Sequence, residues 1–137
     1  MESQTRQGRK VLRRPSFVAL ALTTVGVGLA VHYRGAVLGE TARDGVGDAL
    51  WAMMMAWWVG ALTPQIATIS RAAIALAISF AVELSQLVHT PALDSARQST
   101  IGHLVLGSGF DPGDFVSYTL GVVVAVLIER GLSQRQR

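Results

Sequence analysis

The chain contains no cysteine, which excludes a disulfide framework, a zinc–thiolate site and a thiol nucleophile. Charge is scarce too: 15% of the 137 residues are Asp, Glu, Lys or Arg, against about 25% in an ordinary soluble domain. Catalytic signatures are missing: there is no GxSxG elbow, no HExxH pair, no phosphate-cradling glycine loop and no ordered Ser/His/Asp triad. What is abundant is apolar. Half the residues are hydrophobic and the mean hydropathy is +0.41. So short a chain cannot hide that much apolar surface in one core, and a disordered chain would be far more polar. A lipid environment resolves the conflict, and an ordinary soluble enzyme is excluded.

The apolar residues fall into four stretches: 16–33, 48–63, 71–90 and 112–130. At 1.5 Å rise per residue, helices of 16 to 20 residues cover about 24–30 Å, enough for a bilayer core. All four prolines punctuate their ends: Pro15 precedes the first, Pro64 follows the second, Pro91 the third, and Asp111-Pro112-Gly113 opens the fourth. The expected fold is therefore an all-α polytopic membrane protein. Four transmembrane helices make up residues 16–130, with an outer loop at 91–111 and short tails at 1–15 and 131–137.

Orientation follows from the basic residues. Arg6, Arg9, Lys10, Arg13, Arg14, Arg71, Arg130, Arg135 and Arg137 fall on one side, and only Arg34, Arg43 and Arg97 on the other. By the positive-inside rule both termini are cytoplasmic. Seven of the nine acids lie on or toward the outer side, the exceptions being Glu2 and Glu129. The pI of about 10.2 is then a topology signal, suited to anionic lipid on the cytoplasmic leaflet, and not a nucleic-acid footprint. Arg13-Arg14-Pro15-Ser16-Phe17 has the look of a twin-arginine export signal. Its apolar run is long, however, and three more follow, so an uncleaved signal anchor is the better reading.

The third stretch carries the chemistry. At 100° per residue, Ser79, Glu83, Gln86 and Thr90 lie within about 60° of one another, a polar stripe on an apolar helix. Glu83 is expected about 10 Å below the outer end, where an ionisable group costs about 2.5–3.5 kcal/mol even on the lenient insertion scale. Such residues face the bundle interior and need partners. In the fourth stretch Asp114, Tyr118, Gly121 and Ala125 form a matching stripe, with Tyr118 at similar depth. Glu83 and Tyr118 are expected to face each other, and the small residues below them to let two helices approach closely. In the first stretch Ala19, Thr23, Gly26 and Ala30 form a packing stripe. In the second, Trp51 reads as an interface anchor and Met53 to Met55 as adaptable filler.

The outer connection contains an apolar patch, Ile101 to Leu106, fit for a short turn capped by Ser99 or Thr100, followed by a glycine hinge at 107–109. Loops of such length in small proteins are usually functional, and a lid over the outer mouth is expected. Asp111 and Asp114 suit the start of the fourth helix, and Asp44 and Asp48 that of the second. Arg97 can pair with Asp94 or Asp114, or await an anionic headgroup. His89 and His103 with nearby aspartates are divalent-cation candidates in principle, but no metal-ligand spacing is present. No metal and no cofactor are expected.

Glu83-x-x-Gln86, Arg97, Asp111-x-x-Asp114 and a helix with Gly121 together resemble the VanZ-like membrane proteins. A closer resemblance is to a family of small bacterial four-span proteins of unknown function related to them. It rests on Gly47-Asp48-x-Leu50-Trp51-Ala52, Val82-Glu83-Leu84-Ser85-Gln86, Leu93-Asp94-x-x-Arg97-x-x-Thr100, Leu106-Gly107-x-Gly109-Phe110 and Asp114-x-x-x-Tyr118-x-x-Gly121. Tyr118 replaces the asparagine of VanZ proper. The resemblance covers about residues 45–130 and implies the bacterial cytoplasmic membrane as location. It supplies no reaction, although VanZ is associated with teicoplanin resistance.

The expected site is an outward-facing polar pocket lined by Glu83, Gln86, Arg97, Asp114 and Tyr118, with Asp48 and Asp94 at its rim. It suits an anionic lipid or cell-envelope precursor headgroup. The alternatives are a small membrane enzyme using Glu83 or Asp114 as general base, a proton relay through Glu83, and a purely structural bundle.

Overall fold

A computed structural model describes residues 12–107 and 109–135. Among these residues all regular structure is helical. Helix α1 spans Arg14–Arg34, α2 Glu40–Leu62, α3 Thr68–Ser85, α4 Pro91–Gln98, α5 Thr100–Leu106 and α6 Asp114–Arg135, with a 3-10 turn at Gly35–Leu38 between the first two. Helices α1, α3 and α6 are long and apolar enough to cross a membrane. Their 21, 18 and 22 residues make about 32, 27 and 33 Å. Helix α2 has 23 residues, but Glu40, Arg43, Asp44 and Asp48 make its first three turns polar.

Helix α2 is the axis of the bundle. It packs against α1 on one side and against α3 and α6 on the other, and α3 and α6 also touch each other. Two core clusters result. Between α1 and α2, Phe17 and Trp57 stack at 6.4 Å between ring centroids, with Ala21, Ala61 and Leu12 around them. Gly60 gives the Phe17 ring its seat, because a β-carbon there would lie 2.6 Å from ring atoms. Trp57 Nε1 donates to Thr24 Oγ1 at 3.1 Å, and that hydroxyl donates to Leu20 O at 2.8 Å. The second cluster joins Ala52 and Val59 of α2 to Ala72, Ala75, Tyr118 and Val122. Met53 and Met55 fill gaps in the first and second clusters respectively, the packing role their flexibility suits.

The buried face of α1 is Phe17, Ala21 and Thr24. The expected stripe of Ala19, Thr23, Gly26 and Ala30 is exposed instead, because the Gly60 notch and the Trp57 N–H select the neighbouring face. Gly121 meets Ala49 of α2, where its missing side chain lets the two backbones touch. The close approach is thus between α2 and α6 and not between α3 and α6. Trp51 lies 6.1 Å from the Tyr118 ring, partly buried in the second cluster. Large side chains on the outer surface, among them Leu22, Val27, Ile69, Leu120 and Leu127, are exposed. Such a girdle would be an aggregation hazard in water and is the ordinary surface of a helix in lipid.

Several helix limits differ from those expected. Helix α2 starts at Glu40, which places Asp48 inside it and not at its start. Helix α3 stops at Ser85 with Gln86 as its C-cap, so Thr90 is not on its polar stripe. Thr90 instead caps α4, its hydroxyl accepting from Leu93 N at 3.2 Å, with Pro91 in the first turn. The connection at 91–111 therefore holds a pair of short helices. Ser99 caps the second, accepting from Gly102 N at 3.0 Å. Gly102 has no room for a side chain beside Ala96 O, which is how α5 folds back so tightly. Helix α6 runs on through 131–135, beyond the expected inner boundary. Residues 1–11, most of the expected basic tail, lie outside the described residues, as do Ser108 of the glycine hinge and 136–137.

Candidate functional site

Glu83, near the C-terminal end of α3, has 0% exposure. Its Oε2 accepts from Tyr118 Oη at 2.9 Å and from Gln86 Nε2 at 3.1 Å. Its Oε1 accepts from the backbone N of Asp111 at 2.7 Å. Three donors thus balance one buried carboxylate without any cation, the arrangement that keeps a buried ionised group affordable. Two of the donors come from α6 and the segment leading into it, so the same bonds fasten the returning chain to α3. Gly107, at φ +69°, lies so close to the Gln86 amide that a β-carbon would collide with it.

Arg97, on α4, is 8% exposed and folds under the end of α3. Its Nη1 donates to Val88 O at 2.9 Å and to Asp94 Oδ1 at 3.1 Å, and its Nη2 donates to Ser85 O at 2.7 Å. Carbonyls at a helix C-terminus lack intrahelical donors, and the guanidinium supplies them. Of the two acids expected to pair with Arg97, Asp94 does so and Asp114 does not. Asp94 Oδ1 also sits 3.3 Å from His89 Nδ1. Arg97 Nε is buried with no partner among the described residues.

Asp114 opens α6, and its carboxyl lies beside that of Asp48 on α2, with Asp44 and Glu83 close enough to be felt electrostatically. Asp111 stands outside the helix, its Oδ1 accepting from Gly113 N at 2.7 Å. The seven expected residues therefore form three neighbouring groups: Glu83 with Gln86 and Tyr118, Arg97 with Asp94, and Asp48 with Asp114. Glu83 offers no free face to a substrate.

The open space lies on the far side of Arg97. A cavity of about 570 Å3 is bounded by Leu29, His32 and Tyr33 at the end of α1, by His89, by Asp94 and Arg97 of α4, and by His103 of α5. Only Arg97 and Asp94 of the expected site residues reach it. It collects all three histidines of the chain. The signal was present in the topology: one histidine ends the first stretch, one ends the third and one sits in the connection, so all belong to one side of the bundle. Among the described residues no three His, Asp or Glu side chains converge to hold a metal ion.

Residues 37–122 match the model of a family described as "Protein of unknown function (DUF2809)". The match covers more than half of the sequence, and the chain belongs to that family. It contains every member of the three polar groups. No solved structure matches the chain.

Proposed function

We propose that this is a multi-pass protein of the bacterial cytoplasmic membrane that binds the headgroup of an anionic lipid or cell-envelope precursor at its outer end. Helix α2 is the fourth span. It is long enough and sits at the centre of the other three, and its polar first turns project from the outer end. The starts of α1 and α3 and the ends of α2 and α6 define the cytoplasmic end, where Arg13, Arg14, Arg130 and Arg135 cluster in accord with the positive-inside rule. A distant relation to the VanZ-like proteins belongs to the same reading, resting on Glu83, Gln86, Arg97 and Asp114.

The observation that carries the reading is Arg97: a nearly buried guanidinium whose Nε has no partner among the described residues, on a side chain in the wall of a cavity at the level where spans end. Arginine in such a place suits carboxylate or phosphate. A carboxylate general base is less favoured, since Glu83 has three donors on it and no access.

Two measurements test this. In intact cells an impermeant maleimide should label Val37→Cys and spare Gln134→Cys until lysis; the reverse pattern would overturn the orientation. In nanodiscs the native chain should retain phosphatidylglycerol over phosphatidylcholine by native mass spectrometry, and Arg97→Gln, with helix content checked by circular dichroism, should lose that preference. Equal retention of both lipids by the native chain would overturn the function.

A further inference from the structure

We infer that the cavity beside Arg97 is a phosphate subsite in which the three histidines supply proton-dependent charge, and that a lipid phosphate is its occupant. The inference rests on the anionic-headgroup reading above and deepens it.

The wall of this space sets an arginine and three histidines among apolar surface. His32 comes from α1, His89 from the connection after α3, and His103 from α5, with the Gln98 amide and the Thr100 hydroxyl beside them. The titratable or charged groups that face the space are His32, Tyr33, His89, Asp94, Arg97 and His103. Asp94 is the one acid among them, and its Oδ1 is already turned to Arg97 and His89. A cationic ligand would thus meet one partly spent carboxylate against an arginine and three imidazoles. An anion there meets Arg97 and imidazoles contributed by α1, by the connection after α3 and by α5. Metal binding would need three ligands to converge, and among the described residues they do not. Phosphate asks for less exact convergence, because several oxygens share the charge.

The lipid source is argued from the entrance. Leu29, 41% exposed, forms the cavity's apolar edge and continues the outward row of Leu22 and Val25 along α1. An acyl chain lying on that row ends at Leu29 with its phosphate beside His32 and Arg97. Tyr33, 76% exposed, stands at the same rim, the position in which its amphipathic ring suits the membrane interface.

Imidazole is the side chain that changes charge between pH 5 and 8, whereas a phosphodiester keeps its charge throughout. Binding of phosphatidylglycerol should therefore tighten on acidification through the protein's own protons. The full chain is reconstituted in phosphatidylcholine nanodiscs carrying graded phosphatidylglycerol, and occupancy is read by native mass spectrometry from samples at pH 6 and pH 8. We expect affinity on the order of tenfold higher at pH 6 than at pH 8. The triple variant His32→Gln, His89→Gln, His103→Gln changes side chains at the cavity wall only. It should lose the dependence on pH. Pyrophosphate and inorganic phosphate in the buffer form the second arm. Displacement of the lipid by either supports the phosphate chemistry, while soluble phosphate bound with no preference for phosphatidylglycerol overturns the lipid source. Preference for phosphatidylglycerol that is independent of pH, or a dependence that survives in the triple variant, overturns the histidine subsite and leaves the headgroup reading intact. Absence of any preference at either pH sinks the headgroup reading itself. Stoichiometric zinc uptake without phosphate binding overturns the inference in favour of a metal site.

Discussion

A carboxylate with no exposure, such as Glu83, survives in a low-dielectric bundle only if its negative charge is met by fixed donors. Tyr118 Oη is one of three. Tyr118→Phe removes it without changing the packing shape, and should cost about 1.5–3 kcal/mol, the range for a hydrogen bond to a charged group. Thermal unfolding in detergent, compared with the native chain, checks this. The meeting of Glu83 with Tyr118 was legible from depth and helical phase. The Asp111 N–H was not, because a backbone donor carries no side-chain signature and reaches Glu83 only once α5 has turned the chain back. Arg97 was legible as a partner for Asp94. Its donation to Ser85 O and Val88 O was hidden by the early end of α3.

The short helices α4 and α5 depend on two local features. Thr90 caps α4, and Thr90→Ala should cost about 1 kcal/mol, seen as faster amide exchange over 91–98. Gly102 permits α5 to lie against Ala96. Gly102→Ala forces these backbones apart and should open the cavity. Hydrogen exchange over 100–106 should rise while that of α2 and α6 stays unchanged. At this scale the sequence marked Ser99 or Thr100 as a cap before a short turn at 101–106, and the structure has Ser99 capping helix α5 there. It concealed α4, whose eight residues are too few for a clear period.

For the molecule as a whole, the start of α3 and the end of α6 are joined by Arg71 and Glu129, a buried ion pair, with Thr68 Oγ1 donating to the same carboxylate at 2.8 Å. Phe17 of α1 lies under the guanidinium, 5.2 Å from ring centroid to Arg71 Cζ. Arg71→Met alone leaves an unpaired buried carboxylate and should destabilise by about 3–5 kcal/mol. Arg71→Met with Glu129→Leu should recover most of the loss, as a double-mutant cycle of unfolding would read. Counted along the chain, both residues look like ordinary loop charges at a cytoplasmic boundary, and only folding shows them to be partners.

Composition and proline spacing were enough to establish an all-α chain with helices of membrane length and the polar C-terminal end of α3, since these depend on local transfer energies summed along the chain. Which face of each helix turns inward was settled only by tertiary structure. In lipid, both faces of a span are apolar, so periodicity carries little information, and contact goes to whichever notch and hydrogen bond the neighbouring helix offers. The same holds for the histidine cavity, whose three side chains are far apart in sequence and line one space between the end of α1 and the α4–α5 pair.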